Sequence, residues 1–83
     1  MKLLVLSPEK KVFEDVVEQV TAPGTAGPFQ VLKGHAPLIS TLAQGVLHCS
    51  GLQRQHAWNI ESGTLEVRCD QVTVLLHQLP VCI

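Results

Sequence analysis

The sequence predicts an all-β domain, a sandwich or barrel of short antiparallel strands. Three observations carry that expectation. Several runs alternate apolar and polar residues with the period of two that a half-buried strand requires. Glycine and proline break the chain at short intervals, at Pro8, Pro23-Gly24, Gly27-Pro28, Gly34, Pro37, Gly45, Gly51 and Gly63. Such punctuation marks many short strands. Leu, Val and Ile fill 26 of the 83 positions, enough aliphatic surface for a small domain to build a core without staples.

The elements follow in order. Leu3 to Leu6 is a short apolar run, closed by Pro8. The next stretch reads two ways. Ser7 can cap a helix, and Pro8 stands where a first helical residue would. Phe13, Val16, Val17 and Val20 then follow i, i+3, i+4, i+7, so periodicity favours a helix over residues 7–20. A strand is the other reading: Val16, Glu18 and Val20 alternate with Val17, Gln19 and Thr21. Five valines between positions 12 and 31 favour it on propensity. Residues 21–40 read as a loop, a short strand, a tight turn and a second strand. Gly24 and Gly27 permit positive φ in the first loop. Gly34 and Pro37 frame a rigid second loop around His35. A short run from Gly45 to Gly51 follows, and then an alternating one from His56 to Glu61 that ends at Ser62-Gly63. Thr64 to Cys69 puts Leu65, Val67 and Cys69 on one face. Asp70-Gln71 connects it to the run Val72 to His77, and the two read as a hairpin.

Length and charge exclude much. One domain over residues 1–83 is all the chain can hold, and a dinucleotide-binding α/β domain or a (β/α) barrel needs far more. Charged residues are 16% of the chain, against roughly 25% in an average soluble protein. Some of the surface is therefore expected to be covered by another chain. The net charge is −1 and the six basic residues are scattered, so no basic stripe exists for nucleic acid. Phe13, Phe29 and Trp58 are too few for base stacking. No apolar run reaches the ~18–20 residues of a membrane span. The apolar run at the N-terminus is too short for a signal peptide, which points to the cytoplasm. Cys49, Cys69 and Cys82 lack a CxxC spacing and are expected as buried, reduced thiols.

Catalytic chemistry finds little support. His48 and Cys49 are strand neighbours and point to opposite faces. A zinc site could assemble from His48, Cys69 and His77, but nothing in their spacing demands it, and no metal or cofactor is expected. The carboxylates include no apolar-pocket pair for acid and base work. Gly24-Thr25-Ala26-Gly27 lacks the lysine and following helix of a phosphate loop. The densest local signal is residues 21–40. They are either plain strand connectors, with His35 fixing its own loop, or a stiff docking surface anchored by Phe29 or the 35–37 loop.

That same stretch carries a resemblance. Ser7-Pro8-Glu9-Lys10-Lys11-Val12-Phe13-Glu14, then Val20 to Gly27, then Val31-Leu32-Lys33-Gly34-His35-Ala36-Pro37-Leu38-Ile39, resembles the epsilon subunits of F-type rotary ATP synthases. Glu61-Ser62-Gly63-Thr64-Leu65-Glu66-Val67 and Val72-Thr73-Val74-Leu75 extend the likeness, in order, to about residue 77. The resemblance implies a flattened sandwich of two antiparallel sheets with about ten short strands. It replaces the helix over 7–20 with a Ser-Pro turn between two strands. It implies a non-catalytic rotor subunit that binds the gamma subunit at the foot of the central stalk and sits on the c-ring. The chain is then peripheral, on the cytoplasmic face of the energy-coupling membrane, with no insertion into it. By position, Ser7, His35 and Ser40 are expected near gamma. Gly27, Pro28 and Phe29 are expected in the loop facing the ring. A different class, a small cytoplasmic sandwich that binds a ligand or metal, is the alternative.

Departures from the family pattern are part of the reading. Relatives usually carry Gly where this chain has Asp15, an acidic residue at Pro28, Gly at Gln30 and Pro at Lys33. A ring contact through Pro28 must therefore be apolar, or pass to Gln30 or Lys33. Most relatives also continue into a helical hairpin that can inhibit ATP hydrolysis. This chain stops at Ile83, and a naturally short member without that hairpin is expected ahead of a truncated one.

Overall fold

A computed structural model describes residues 1–83. Ten strands succeed one another: β1 (Lys2–Leu6), β2 (Lys11–Val16), β3 (Gln19–Gly24), β4 (Gly27–Leu32), β5 (Leu38–Leu42), β6 (Gly45–Ser50), β7 (Gln55–Ile60), β8 (Gly63–Arg68), β9 (Gln71–Leu76) and β10 (Val81–Cys82). No helix forms among them.

The strands join in one hydrogen-bonded network that folds over at β3. One edge of β3 pairs with β4 along its whole length. The other edge pairs with β6 over Gln19–Thr21 and with β5 only through Gly24 and Leu42. Two five-stranded layers result. The first runs β10-β7-β6-β3-β4, the second β5-β8-β9-β1-β2. Every pairing is antiparallel except β1 with β9, which run parallel from Lys2 opposite Gln71 to Leu6 opposite Leu75. A period of two sets which face a residue takes but is blind to strand direction, so the sequence could not mark this pair.

Alternation sends one face of each layer inward. Val20, Ala22, Val31, Leu47, Cys49, Trp58 and Ile60 come from the first layer. Leu3, Val5, Leu65, Val67, Val72, Val74 and Leu76 come from the second. With Met1, Val17 and Leu42 they form one cluster of 17 buried residues. The shortest dimension is 19 Å, as two layers about 10 Å apart with their outer side chains require. Phe13 on β2 reaches across the layers, with its ring 4.8 Å from His56 and edge-on to Trp58 at 5.4 Å.

Three expectations need correcting. Residues 7–20 form strands and a turn, as the resemblance implied, and not the helix that periodicity favoured. Ser7 to Lys10 closes a turn, and β2 returns along β1 from Phe13 opposite Val5 to Val16 opposite Lys2. The helical stripe was accidental, because Val16 is 69% exposed while Val17 and Val20 are buried. The hairpin turn lies one residue earlier than expected, at Cys69-Asp70, and Gln71 already pairs with Arg68. Only Cys49 is buried; Cys69 and Cys82 are exposed, and all three are free. Cys69 left the interior because the turn took it. Burial pushes the Cys49 thiol up to about 11, so it behaves as core.

Cys69 and Asp70 both have positive φ, 51° and 60°. This is the geometry of a two-residue turn that favours Asn-Gly. Cys69 carries a side chain that resists it. Cys69→Asn is expected to raise stability by about 0.5–1 kcal/mol, read as a higher midpoint in thermal unfolding.

The open edge strand β2 is guarded by charge. Glu14 accepts from Lys11 Nζ at 2.7 Å and Lys2 Nζ at 2.9 Å. Such charges discourage edge-to-edge pairing. The hydrogen bond from Lys11, then that from Lys2, hold the Glu14 carboxyl down from 4.5 to about 2. A lowered folded-state value means that this contribution is full above the unfolded value and is lost as pH falls through the folded one. Glu14→Gln is therefore expected to flatten the acid limb of a urea-midpoint profile between about pH 4.5 and pH 2. The pair is exposed, so the change is small.

Candidate docking surfaces

The positions expected near gamma all fall on the second layer and its connections, but not in one place. Ser7 follows β1 and half-buries its hydroxyl inside its own turn. Its Oγ donates to the Lys10 carbonyl at 3.1 Å and accepts from Lys10 N–H at 3.2 Å. Ser40, on β5, donates from Oγ to the Thr41 carbonyl at 3.0 Å. His35 is exposed in the loop before β5. Its N–H donates to the Leu32 carbonyl, and Nδ1 lies 2.7 Å from the Ala36 carbonyl, so that nitrogen carries the proton. The ring fixes its own loop and leaves Nε2 facing outward.

The registers separate the three. Leu38 shares a row with Val67, Val72 and Leu3, whereas Thr41 shares one with Thr64, Leu75 and Leu6. His35 and Ser7 therefore lie beyond opposite ends of the layer. Three strand spacings, about 14 Å, divide β5 from β1. A partner touching all three must lie along the layer; no pocket gathers them.

Gly27, Pro28 and Phe29 form the returning arm of a hairpin whose turn is Thr25-Ala26. Gly24 pairs with Gly27, Pro23 with Pro28 and Ala22 with Phe29. Gly27 has a φ of 128°, which a side chain would resist. The tip is stitched to the other layer. Thr25 N–H donates to the Thr41 carbonyl at 3.1 Å, Ala43 N–H to the Pro23 carbonyl at 2.7 Å, and the hydroxyls of Thr25 and Thr41 meet at 2.6 Å. Phe29 is half-buried against the core, beside Gly24, where a Cβ would come within 2.8 Å of its ring. Gly27 and Pro28 are the exposed members of the trio. The structure thus brings the tip to Ser40 and Thr41, a neighbourhood that sequence spacing did not suggest.

The weighed zinc trio is dispersed. His48 is on β6 in the first layer, while Cys69 and His77 flank opposite ends of β9 in the second. No group of three metal-ligating side chains converges anywhere. His77 Nδ1 instead meets Ser62 Oγ at 2.9 Å. An open cleft of about 770 Å3 lies between the β2–β3, β4–β5 and β6–β7 connections, with Val16, Leu32 and Leu52 in its lining. Nothing in the sequence marks it, because its walls come from distant connections. No buried side-chain polar atom lacks a partner, and the charged groups that line the cleft, Asp15, Glu18, Lys33 and Arg54, come from its rim connections.

A stiff two-layered domain, with no convergent chemistry and a pinned hairpin tip, is the geometry in hand. Residues 1–79 match the ATP synthase delta/epsilon chain, beta-sandwich domain. The chain belongs to the delta/epsilon family. It is 40% identical over 76 residues to an ATP synthase epsilon chain of Magnetococcus marinus, covering 92% of this chain and 56% of that one. An epsilon chain of Syntrophobacter fumaroxidans is 43% identical over 75 residues, covering 90% and 56%. The chain thus spans little more than half the length of these curated relatives. Solved structures share the fold. A chain of the Euglena gracilis mitochondrial ATP synthase, an OSCP/F1/c-ring structure, superposes with a TM-score of 0.85 at 21% identity, covering 94% of this chain and 51% of that one. A chain of the Tetrahymena thermophila mitochondrial ATP synthase central stalk and c-ring gives 0.80 at 12%, covering 93% and 63%. Delta/epsilon membership accounts for the order of motifs from Ser7 to Leu75. No helix of the chain is long and apolar enough to cross a membrane.

Proposed function

We propose that this domain is a non-catalytic piece of the central stalk of an F-type, proton-translocating ATP synthase, making the gamma subunit and the c-ring turn as one body. It works from the cytoplasmic face of the membrane and needs no cofactor. The observation that carries the reading is family membership over nearly the whole chain, joined to a build suited to the task. Torque transmission needs an element that resists deformation, and close-packed interiors do. Here 17 buried residues fill the space between two layers that are cross-linked by the Thr25–Thr41 stitch. The role proposed for these 83 residues is mechanical.

Gamma contacts are proposed at Ser7, His35 and Ser40, and the ring contact at Gly27, Pro28 and Phe29. Pro28 offers no charge and no N–H, so the ring contact is apolar. His35→Glu and Ser40→Glu are each expected to weaken gamma binding about tenfold or more in a pull-down, since a charge buried at an interface without a partner is costly. Unchanged affinity in both variants would put gamma elsewhere. The role itself is tested by reconstituting the synthase with and without the chain. Proton-coupled ATP synthesis should fall when it is left out; synthesis at full rate without it would refute the reading.

A further inference from the structure

The β3–β4 hairpin outruns the ladder of its own layer. β6 pairs with β3 only as far as Thr21, opposite His48. Beyond that pair, Ala22 to Gly24 and their return, Gly27 to Phe29, form a two-stranded ribbon. A ribbon of two strands is marginally stable alone. Pro23 faces Pro28 across it, and neither has an N–H, so no ladder bond joins that pair. What supports the ribbon is the corner between β5 and β6. Ala43 N–H donates to the Pro23 carbonyl, and Gly24 stands opposite Leu42. Gly45 lies so close that a Cβ there would come within 2.8 Å of the Pro23 Cβ.

The last support lies at the turn itself and runs through Thr41. Its carbonyl accepts from Thr25 N–H at 3.1 Å and from Ser40 Oγ at 3.0 Å. Its hydroxyl meets that of Thr25 at 2.6 Å. No other side-chain hydrogen bond joins the hairpin to the second layer, since Gln30 bonds to Gln19 within the hairpin. The backbone bonds are open to almost any sequence; the hydroxyl pair is what these two residues add. Threonine is stiff about χ1, so a bond between two of them holds the tip at a set angle.

We propose that Thr25 and Thr41 are positioning residues for the ring contact, their hydroxyl bond setting the angle at which the tip presents Gly27 and Pro28. This role rests on the ring contact proposed above and follows from its character. Pro28 has neither charge nor N–H, so a partner surface can offer its ring no directional bond. The orientation must come from within the domain. A tip that swings has to give up that freedom on docking, whereas a tip already fixed does not. One hydrogen bond of this kind is worth about three- to tenfold in affinity.

The test measures binding of the full 83-residue chain, in complex with gamma, to detergent-solubilised c-ring. Thr25→Val and Thr41→Val keep the side-chain shape and remove the hydroxyl. Each should weaken ring binding about three- to tenfold, and the double variant no more than either alone, because all three lose the same bond. Thr25→Ser and Thr41→Ser should bind as the native chain does. Thr25→Val should keep its affinity for gamma, and its amide exchange should quicken at Thr25 and Ala43 but not at Leu65 or Val74. Val72→Ala, destabilised in the core at the far end of the layer, should bind the ring normally at a temperature where circular dichroism shows every variant folded. Native ring binding by both valine variants overturns the proposal, as does an equal loss in Val72→Ala. Pro28→Lys puts a charge into the apolar contact and should cost about tenfold or more. If it does so while the valine variants bind normally, only the positioning role falls. If all three bind normally, the ring contact falls with it.

Discussion

Leu65→Ala is expected to lower the unfolding free energy by about 3 kcal/mol. Leu65 is fully buried on β8, a central strand of the second layer. It stands in register between Ser40 on β5 and Val74 on β9, and Val74 in turn faces Val5 on β1. Leu65 has a paired strand on both sides and is fully buried, so most of the deleted volume persists as a cavity. A domain of this size holds only about 4–12 kcal/mol in all. Urea denaturation should show the midpoint falling with the slope unchanged. The matched control is Leu75→Ala. Leu75 is on β9 but half-exposed on the outer face, and its loss should cost less than about 1 kcal/mol. Equal effects at the two positions would mean that the inward and outward faces are wrongly assigned.

That assignment was largely written in the sequence. The alternation of Leu65 and Val67 with Glu66 and Arg68, and of Trp58 and Ile60 with Asn59, gave both strands and their buried faces. What failed was decided by strand pairing and turn geometry. Val16 follows the helical period as well as Val20 does, and only the return of β2 along β1 turns it to solvent. Cys69 continues the alternation of Leu65 and Val67, yet the turn claims it. Ser7, His35 and Ser40 were singled out by family likeness, but the hydrogen bonds each makes to its own loop or strand were not visible before folding. The grouping of uncharged polar residues on the first layer was the least legible feature. Gln19, Gln30, Ser50 and Gln55 are scattered over 37 positions and become neighbours only when β3, β4, β6 and β7 pair.

The same pairing makes Gly63 the position least open to change. Gly63→Val is expected to abolish the native fold, and Gly63→Ala to cost about 2–3 kcal/mol. Gly63 opens β8, where it pairs with Leu42 on one side and Leu76 on the other. A Cβ there would sit 2.5 Å from the Leu75 carbonyl oxygen and 3.2 Å from the Leu76 Cα. Both obstacles are backbone, so no rotamer change relieves them. The only escape is to spread β8 from β9, which breaks the ladder at its first pair and pulls on the neighbouring bond from His77 N–H to the Ser62 carbonyl. Leu42 is tied to the same residue, and Leu42 also pairs with Gly24 at the junction of the two layers. Strain at Gly63 therefore reaches the one place where the layers are joined and the hairpin tip is pinned. At about 4–8 °C per kcal/mol, Gly63→Ala should lower the thermal midpoint by roughly 10–20 °C. It should also weaken pull-down by gamma at temperatures where the domain is still folded, because the tip and Ser40 share that junction. A Gly63→Ala variant with a native midpoint would show that β8 and β9 can part at this end, and that the junction is less rigid than a torque-bearing element requires.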